Sequence, residues 1–224
     1  MLLSKWYLRL LLCLSLIVAT LAVPLLADEP VPTDPLRIGI FADLHAHDTN
    51  SPVEGHVYTN YGQRLQAFAE AMNAWPADLV IELGDFINGR YVMPPLYGDS
   101  ERITGILEEA EAIYATFNGP RYYVLGNHEM YDLSKEEFLE RVACDSTYGS
   151  FDVDGYHFVI LDAQYNKKGE DFSEAFWVVQ GNVPQAQLDW LREDLSTTDK
   201  STVVCIHQPL DLDFSPLAGG GPPV

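Results

Sequence analysis

The chain has 224 residues, is 47% hydrophobic and carries a formal net charge of −20. So large an apolar share excludes a disordered polymer and suits one domain with a buried core. The acidic excess excludes a general nucleic-acid binder, because such a surface repels phosphate backbones, whereas it leaves metal cations welcome.

In chain order, Lys5 and Arg9 form a short basic region before the uncharged run Leu10–Ala27. Ala27 then precedes Asp28-Glu29-Pro30, the pattern of an export signal with its cleavage site. The run is also at the lower length limit for a membrane span, so a retained anchor is the second reading of residues 1–27. Both readings place the domain outside the cytoplasm, periplasmic or extracellular, with any membrane contact limited to this segment. Residues 28–36 are proline-rich and aperiodic, a linker to a domain spanning 37–224.

From Arg37 onward, short apolar runs alternate with amphipathic stretches. Arg37–Ala42, Leu79–Leu83, Arg121–Leu125 and Ser201–Ile206 read as strands. Gln63–Trp75 and Glu101–Phe117 repeat apolar residues at helical spacing. Ser134 and Glu137 form a capping box that opens a short helix. Asp154-Gly155 is a hairpin turn between Ser150–Val153 and Tyr156–Leu161. Pro184–Leu195 reads as a helix with Leu188, Leu191 and Leu195 inward. Lys167–Gln180 lacks regular signals and is expected to form a rim loop. Alternation followed by a hairpin argues for a layered α/β domain with a mixed sheet. Cys13 is apolar filler in the N-terminal run, and Cys144 and Cys205 are open to two readings, a disulfide or buried thiols.

The polar residues fall at the strand ends. Arg37–Ala42 runs into Asp43-Leu44-His45, Leu79–Leu83 into Gly84-Asp85, Arg121–Leu125 into Gly126-Asn127-His128-Glu129, and Ser201–Ile206 into His207. Open α/β sheets bind ligands outside the carboxyl ends of their strands. Imidazole and carboxylate donors suit Mn, Fe or Zn. Two such cations together neutralise a phosphate ester and make water acidic enough to attack it. No G-x-S-x-G elbow, phosphate-binding P-loop or H-E-x-x-H motif competes with this pattern.

The ordered set D-x-H, G-D, G-N-H-E and a strand-end histidine resembles the calcineurin-like metallophosphoesterases, from about Arg37 to His207. That resemblance implies a four-layer αββα sandwich and hydrolysis of a phosphate mono- or diester by hydroxide held between two metal ions. It further implies that Asp43 and His45 bind one metal, Asn127 and His207 the other, and that Asp85 bridges them. His128 would face the substrate, stabilising the transition state or protonating the leaving group. His47 and Arg90 are candidate substrate contacts, Glu129 a residue that orders its loop through hydrogen bonds, and His157 a packing residue. The expected partner is a phosphorylated small molecule.

The chain departs from the family at one point. A late G-H-x-H motif supplies two further ligands in the family, and no histidine follows His207 here. The expectation drawn from this is a domain incomplete at its C-terminal side. Two alternatives stand beside it: an exported, inactive relative that binds a phosphorylated ligand, and an amidohydrolase-type barrel in which His45 and His47 form an H-x-H pair on one strand face.

Overall fold

The computed structural model describes residues 35–50, 57–89, 100–171 and 181–209. The expectations for residues 1–27, for Arg90 and for most of the rim loop lie outside them. Among the described residues, no helix is long and apolar enough to cross a membrane.

Three parallel strands form the first sheet: β1 (Ile38–Phe41), β2 (Leu79–Glu82) and β3 (Arg121–Tyr123), in the order β1-β2-β3. The second sheet is mixed. Strands β4 (Gly149–Val153) and β5 (Tyr156–Ile160) form an antiparallel hairpin, and β6 (Ser201–Cys205) joins β5 in parallel. The hairpin turns through Asp154 at φ 45° and Gly155 at φ 82°, the left-handed pair that an Asp-Gly turn supplies.

The two sheets face one another across a thin apolar layer in which Leu79, Ile81 and Val124 meet Phe158 and Cys205. Tyr122 of β3 stacks on Phe151 of β4 with ring centroids 3.6 Å apart, so those two strands lie opposite each other. Three helices cover the other face of the first sheet: α1 (Tyr61–Ala74), α2 (Ser100–Tyr114) and α3 (Lys135–Val142). They enclose a second core of Leu65, Leu107, Tyr114, Phe86 and Phe138. The α3 N-terminus has the expected capping box: Ser134 Oγ accepts from Glu137 N at 3.2 Å, and Glu137 accepts from Ser134 N at 2.8 Å. A fourth helix, α4 (Gln185–Ser196), lies on the outer side of the second sheet, where its Asp194 bonds Ser150 and His157. The result is the αββα layering that the resemblance implies.

Two expectations change, and one left open is resolved. Leu188 and Leu195 of α4 are 37% and 39% exposed, whereas Gln187 is 1% exposed. The helix is turned because the Gln187 amide accepts from Asp162 N at 3.0 Å and donates to Asp162 O at 3.0 Å, completing a loop backbone that apolar side chains would leave unpaired. His157 is held by charge as well as packing, between Asp152 at 2.7 Å and Asp194 at 2.8 Å. Cys144 and Cys205 are free thiols.

Candidate metal centre

Parallel strands bring their carboxyl ends to one edge, and the loops that leave β1 and β2 stay paired beyond the strands. Asp43 N donates to Gly84 O at 3.0 Å, His45 N to Asp85 O at 2.9 Å, Ala46 N to Phe86 O at 2.9 Å and Asn88 N to Ala46 O at 3.0 Å. This ladder threads three side-chain-bearing residues through left-handed backbone: Asp43 at φ 54°, His45 at φ 48° and Asp85 at φ 58°. Each such residue costs about 1–3 kcal/mol, and such strain gathers where a site over-determines its geometry.

The ligating atoms form two groups. His45, Asp85 and His128 make one, and Asp43, Asp85 and His207 the other, with the atoms of each within 4.8 Å of one another. Asp85 belongs to both. Its Oδ2 lies 3.6 Å from His45 Nε2 and 3.8 Å from His128 Nε2, while Oδ1 lies 3.5 Å from His207 Nε2. Asp85 is 4% exposed and Asp43, on the solvent side, has a side chain 59% exposed. Five of the six residues expected in the centre from sequence therefore converge. The expected Asp43–His45 pair is close as well, with His45 Nε2 3.6 Å from Asp43 Oδ1, and the His128 ring stands beside the same Asp85 carboxylate. Asn127 donates its Nδ2 to the Tyr131 hydroxyl at 3.0 Å.

Two glycines let this happen. Gly84 has φ 101°, and a Cβ there would come within 2.7 Å of His207 Cγ. A Cβ on Gly126 would overlap the backbone nitrogen and Oδ1 of Asp85. Glu129, fully buried, ties the two loops together. Its Oε2 accepts from Gly126 N at 2.8 Å and Asp85 N at 3.2 Å, and its Oε1 accepts from Ile87 N at 3.1 Å.

The electrostatics of this cluster call for positive charge. Burial works against charging His207, yet the Asp85 carboxylate lifts it to about 9. His45 is likewise raised against its burial by Asp43 and Asp85. Asp85 is held below its usual range, although burial opposes this, chiefly by its contact with His207. Burial drives His128 down to about 4, so its ring is neutral near pH 7. Burial, then repulsion from Asp85, raises Glu129 to about 7. Glu82, buried on β2, is raised further by burial and by Glu129.

This donor set fits a pair of divalent cations. It offers three imidazoles and two carboxylates, with one carboxylate shared, and the outer nitrogen is already engaged on two of the rings. His45 Nδ1 meets Asn88 Oδ1 at 3.1 Å and His207 Nδ1 donates to Leu83 O at 2.9 Å, which turns both Nε2 atoms inward.

His47 is brought close in sequence only. Its ring is buried and accepts from Thr49 N at 2.9 Å, in a loop that Arg102 pins through Asp48 and Thr49, and it joins neither ligand group. The H-x-H reading fails on this point and on the two-sheet architecture, since no barrel is present among the described residues. Asn88 and Glu82 are the residues that motif reading missed. The acidic residue inside the apolar run Leu79–Leu83 was the available signal for Glu82, and Asn88 had none.

A family model described as calcineurin-like phosphoesterase matches residues 36–221. A manganese-dependent ADP-ribose/CDP-alcohol diphosphatase of Arabidopsis thaliana is 22% identical over 219 residues, covering 77% of this chain and 67% of the relative. A protein of the same description from Oryza sativa subsp. japonica is 22% identical over 194 residues, covering 67% of this chain and 58% of the relative. Among solved structures, a dimetal phosphatase from Danio rerio superposes with a TM-score of 0.63 at 18% identity, over 79% of this chain and 71% of that one.

Proposed function

The chain belongs to the calcineurin-like phosphoesterase family, and from that premise we propose that it hydrolyses a phosphate ester or anhydride at a two-metal centre. Metal-dependent hydrolysis of phosphoric ester bonds is the family's activity. The finer reading concerns the number of ions and the substrate. The single observation that carries the first is Asp85, whose two carboxylate oxygens are divided between two ligand groups. For the second, the support is the diphosphatase relatives, which point to a nucleoside diphosphate joined to a sugar or alcohol.

Asp43 and His45 would hold one ion with Asp85; His207 would hold the other with the same carboxylate; the Asn127 amide oxygen is a further donor. Such ions, when bound, cancel phosphoryl charge and make water acidic near neutral pH. The chain's own residues supply the rest. Glu129 fixes the backbone on either side of Asp85 through three N–H groups, so the shared carboxylate holds one orientation. His128 N donates to Asp85 Oδ1 at 2.9 Å, which ties the G-N-H-E turn to that carboxylate. Kept neutral by burial, the His128 ring approaches a phosphoryl or leaving-group oxygen without adding a charge of its own. Export, with residues 1–27 as signal or anchor, remains part of the proposal.

The test is hydrolysis by the full chain, with and without Mn2+, of ADP-ribose, p-nitrophenyl phosphate and bis-p-nitrophenyl phosphate. The expected result is Mn-dependent release of AMP from ADP-ribose. Mn-dependent turnover of the aryl esters alone would replace the diphosphate reading with an ester reading. No turnover of any of them would leave a metal-binding relative without this activity.

A further inference from the structure

The centre's imidazoles differ in what holds their outer nitrogen. His207 is held by a backbone carbonyl, that of Leu83. His45 is held by a side chain, that of Asn88, and a side chain is open to substitution. Asn88 lies three residues beyond the shared Asp85, on the ladder that joins the β1 and β2 loops, and its own N–H donates to Ala46 O at 3.0 Å. It is fully buried. Its Oδ1 sits 3.1 Å from His45 Nδ1, while its buried Nδ2 has no hydrogen-bond partner among the described residues.

That imbalance is informative. A buried amide nitrogen without a partner loses its hydration uncompensated, and an apolar residue of similar size would avoid that cost. Among the described residues, the His45 contact is the hydrogen bond this side chain makes to offset it. His45 itself sits at φ 48°, where the backbone is strained, and its ring lies against those of His128 and Tyr58, which pack it without fixing its proton. An imidazole presents a lone pair on one nitrogen only when its proton sits on the other, and the partner of that other nitrogen decides which.

We propose that Asn88 is a positioning residue for the metal centre: its amide oxygen accepts a hydrogen bond from His45 Nδ1–H, holds the proton on that nitrogen and thereby fixes Nε2 as the nitrogen that faces Asp43 and Asp85. The amide does this without adding negative charge to a cluster that already contains Asp43, Asp85, Glu82 and Glu129. The inference rests on the metal-centre reading above.

The test compares the full chain with Asn88→Leu and Asn88→Asp, measuring Mn2+ affinity by calorimetry and the urea stability of the metal-free proteins. Asn88→Leu is expected to weaken binding at one site roughly 10–100-fold, the range typical of a lost ligand partner, while metal-free stability holds or rises. Asn88→Asp keeps the acceptor and is expected to restore wild-type affinity. Wild-type affinity in Asn88→Leu, or equal loss in Asn88→Asp, overturns the inference and leaves the centre standing. Absence of Mn2+ binding by the wild-type chain overturns both. Should Asn88→Leu fail to fold, 15N-histidine spectra of the Zn2+-loaded wild-type chain decide the matter. A protonated, slowly exchanging His45 Nδ1 with Nε2 on the metal is expected, and coordination through Nδ1 refutes the assignment.

Discussion

Glu129 accepts the backbone N–H of Asp85 at 3.2 Å, 44 residues away in sequence, and with the same oxygen accepts that of Gly126 at 2.8 Å. The carboxylate is therefore the clamp between the β2 and β3 loops, with its second oxygen on Ile87 N. Glu129→Gln replaces one acceptor oxygen by an amine, which leaves at least one of these buried N–H groups facing another donor. The expected loss is about 1–3 kcal/mol, read as a lower urea midpoint for the metal-free protein with an unchanged slope. An unchanged midpoint would mean that the clamp contributes nothing to folding.

Gly126 is a packing requirement as well as a turn residue. Its missing Cβ is the space in which the backbone and Oδ1 of Asp85 sit. Gly126→Ala is expected to cost about 1–3 kcal/mol from overpacking and to abolish Mn2+ binding, because the atom displaced belongs to the shared carboxylate. Calorimetric titration with Mn2+ checks this. Gly149→Ala, where a Cβ meets nothing within 4 Å, is the control and should bind normally.

His157 ties the hairpin to α4, through Asp152 on β4 and Asp194 on α4, while Lys200 Nζ holds the other oxygen of Asp152 at 2.8 Å. The bonds to Asp194 and then Asp152 raise the imidazole above its usual range. A raised folded-state value means that the contribution is fully present below the unfolded value, about 6.5, and is lost as pH rises through the folded one. Urea unfolding of the metal-free chain should show stability falling with pH across that window. His157→Gln should flatten the dependence. Parallel curves for the two proteins would remove His157 from the account.

Mn2+ that binds the folded chain and not the unfolded one stabilises it by mass action. At free metal 100 times the dissociation constant, one site adds about 2.7 kcal/mol. The thermal midpoint should rise with Mn2+ and return to the metal-free value on chelation. A midpoint indifferent to Mn2+, Zn2+ and Fe2+ would argue against a site formed only in the native state.

Much of this centre was legible from sequence because a parallel sheet makes one dimension do the work of three. Strands that run the same way end at the same edge, so Asp43, Asp85 and His128 converge once their strands are recognised, and His207 joins them from the end of β6 in the facing sheet. The hairpin at Asp154-Gly155 and the cap at Ser134 were legible for a similar reason, since each is a local device. What periodicity missed depends on contacts through space. Gln187 is buried because the Asp162 backbone needs its amide, and the apolar spacing of α4 says nothing of that loop. His45 and His47 would share a face only on a regular strand, and the left-handed turn at His45 sends them apart.

The central claim is that Asp85 is shared between two metal sites. Its most direct test is the Mn2+ stoichiometry of the full chain beside Asp85→Ala, by equilibrium dialysis with elemental analysis. Two equivalents in the wild type, both lost in the variant, are expected. One equivalent in the wild type, or one retained in Asp85→Ala, would contradict the shared carboxylate and with it the two-metal reading.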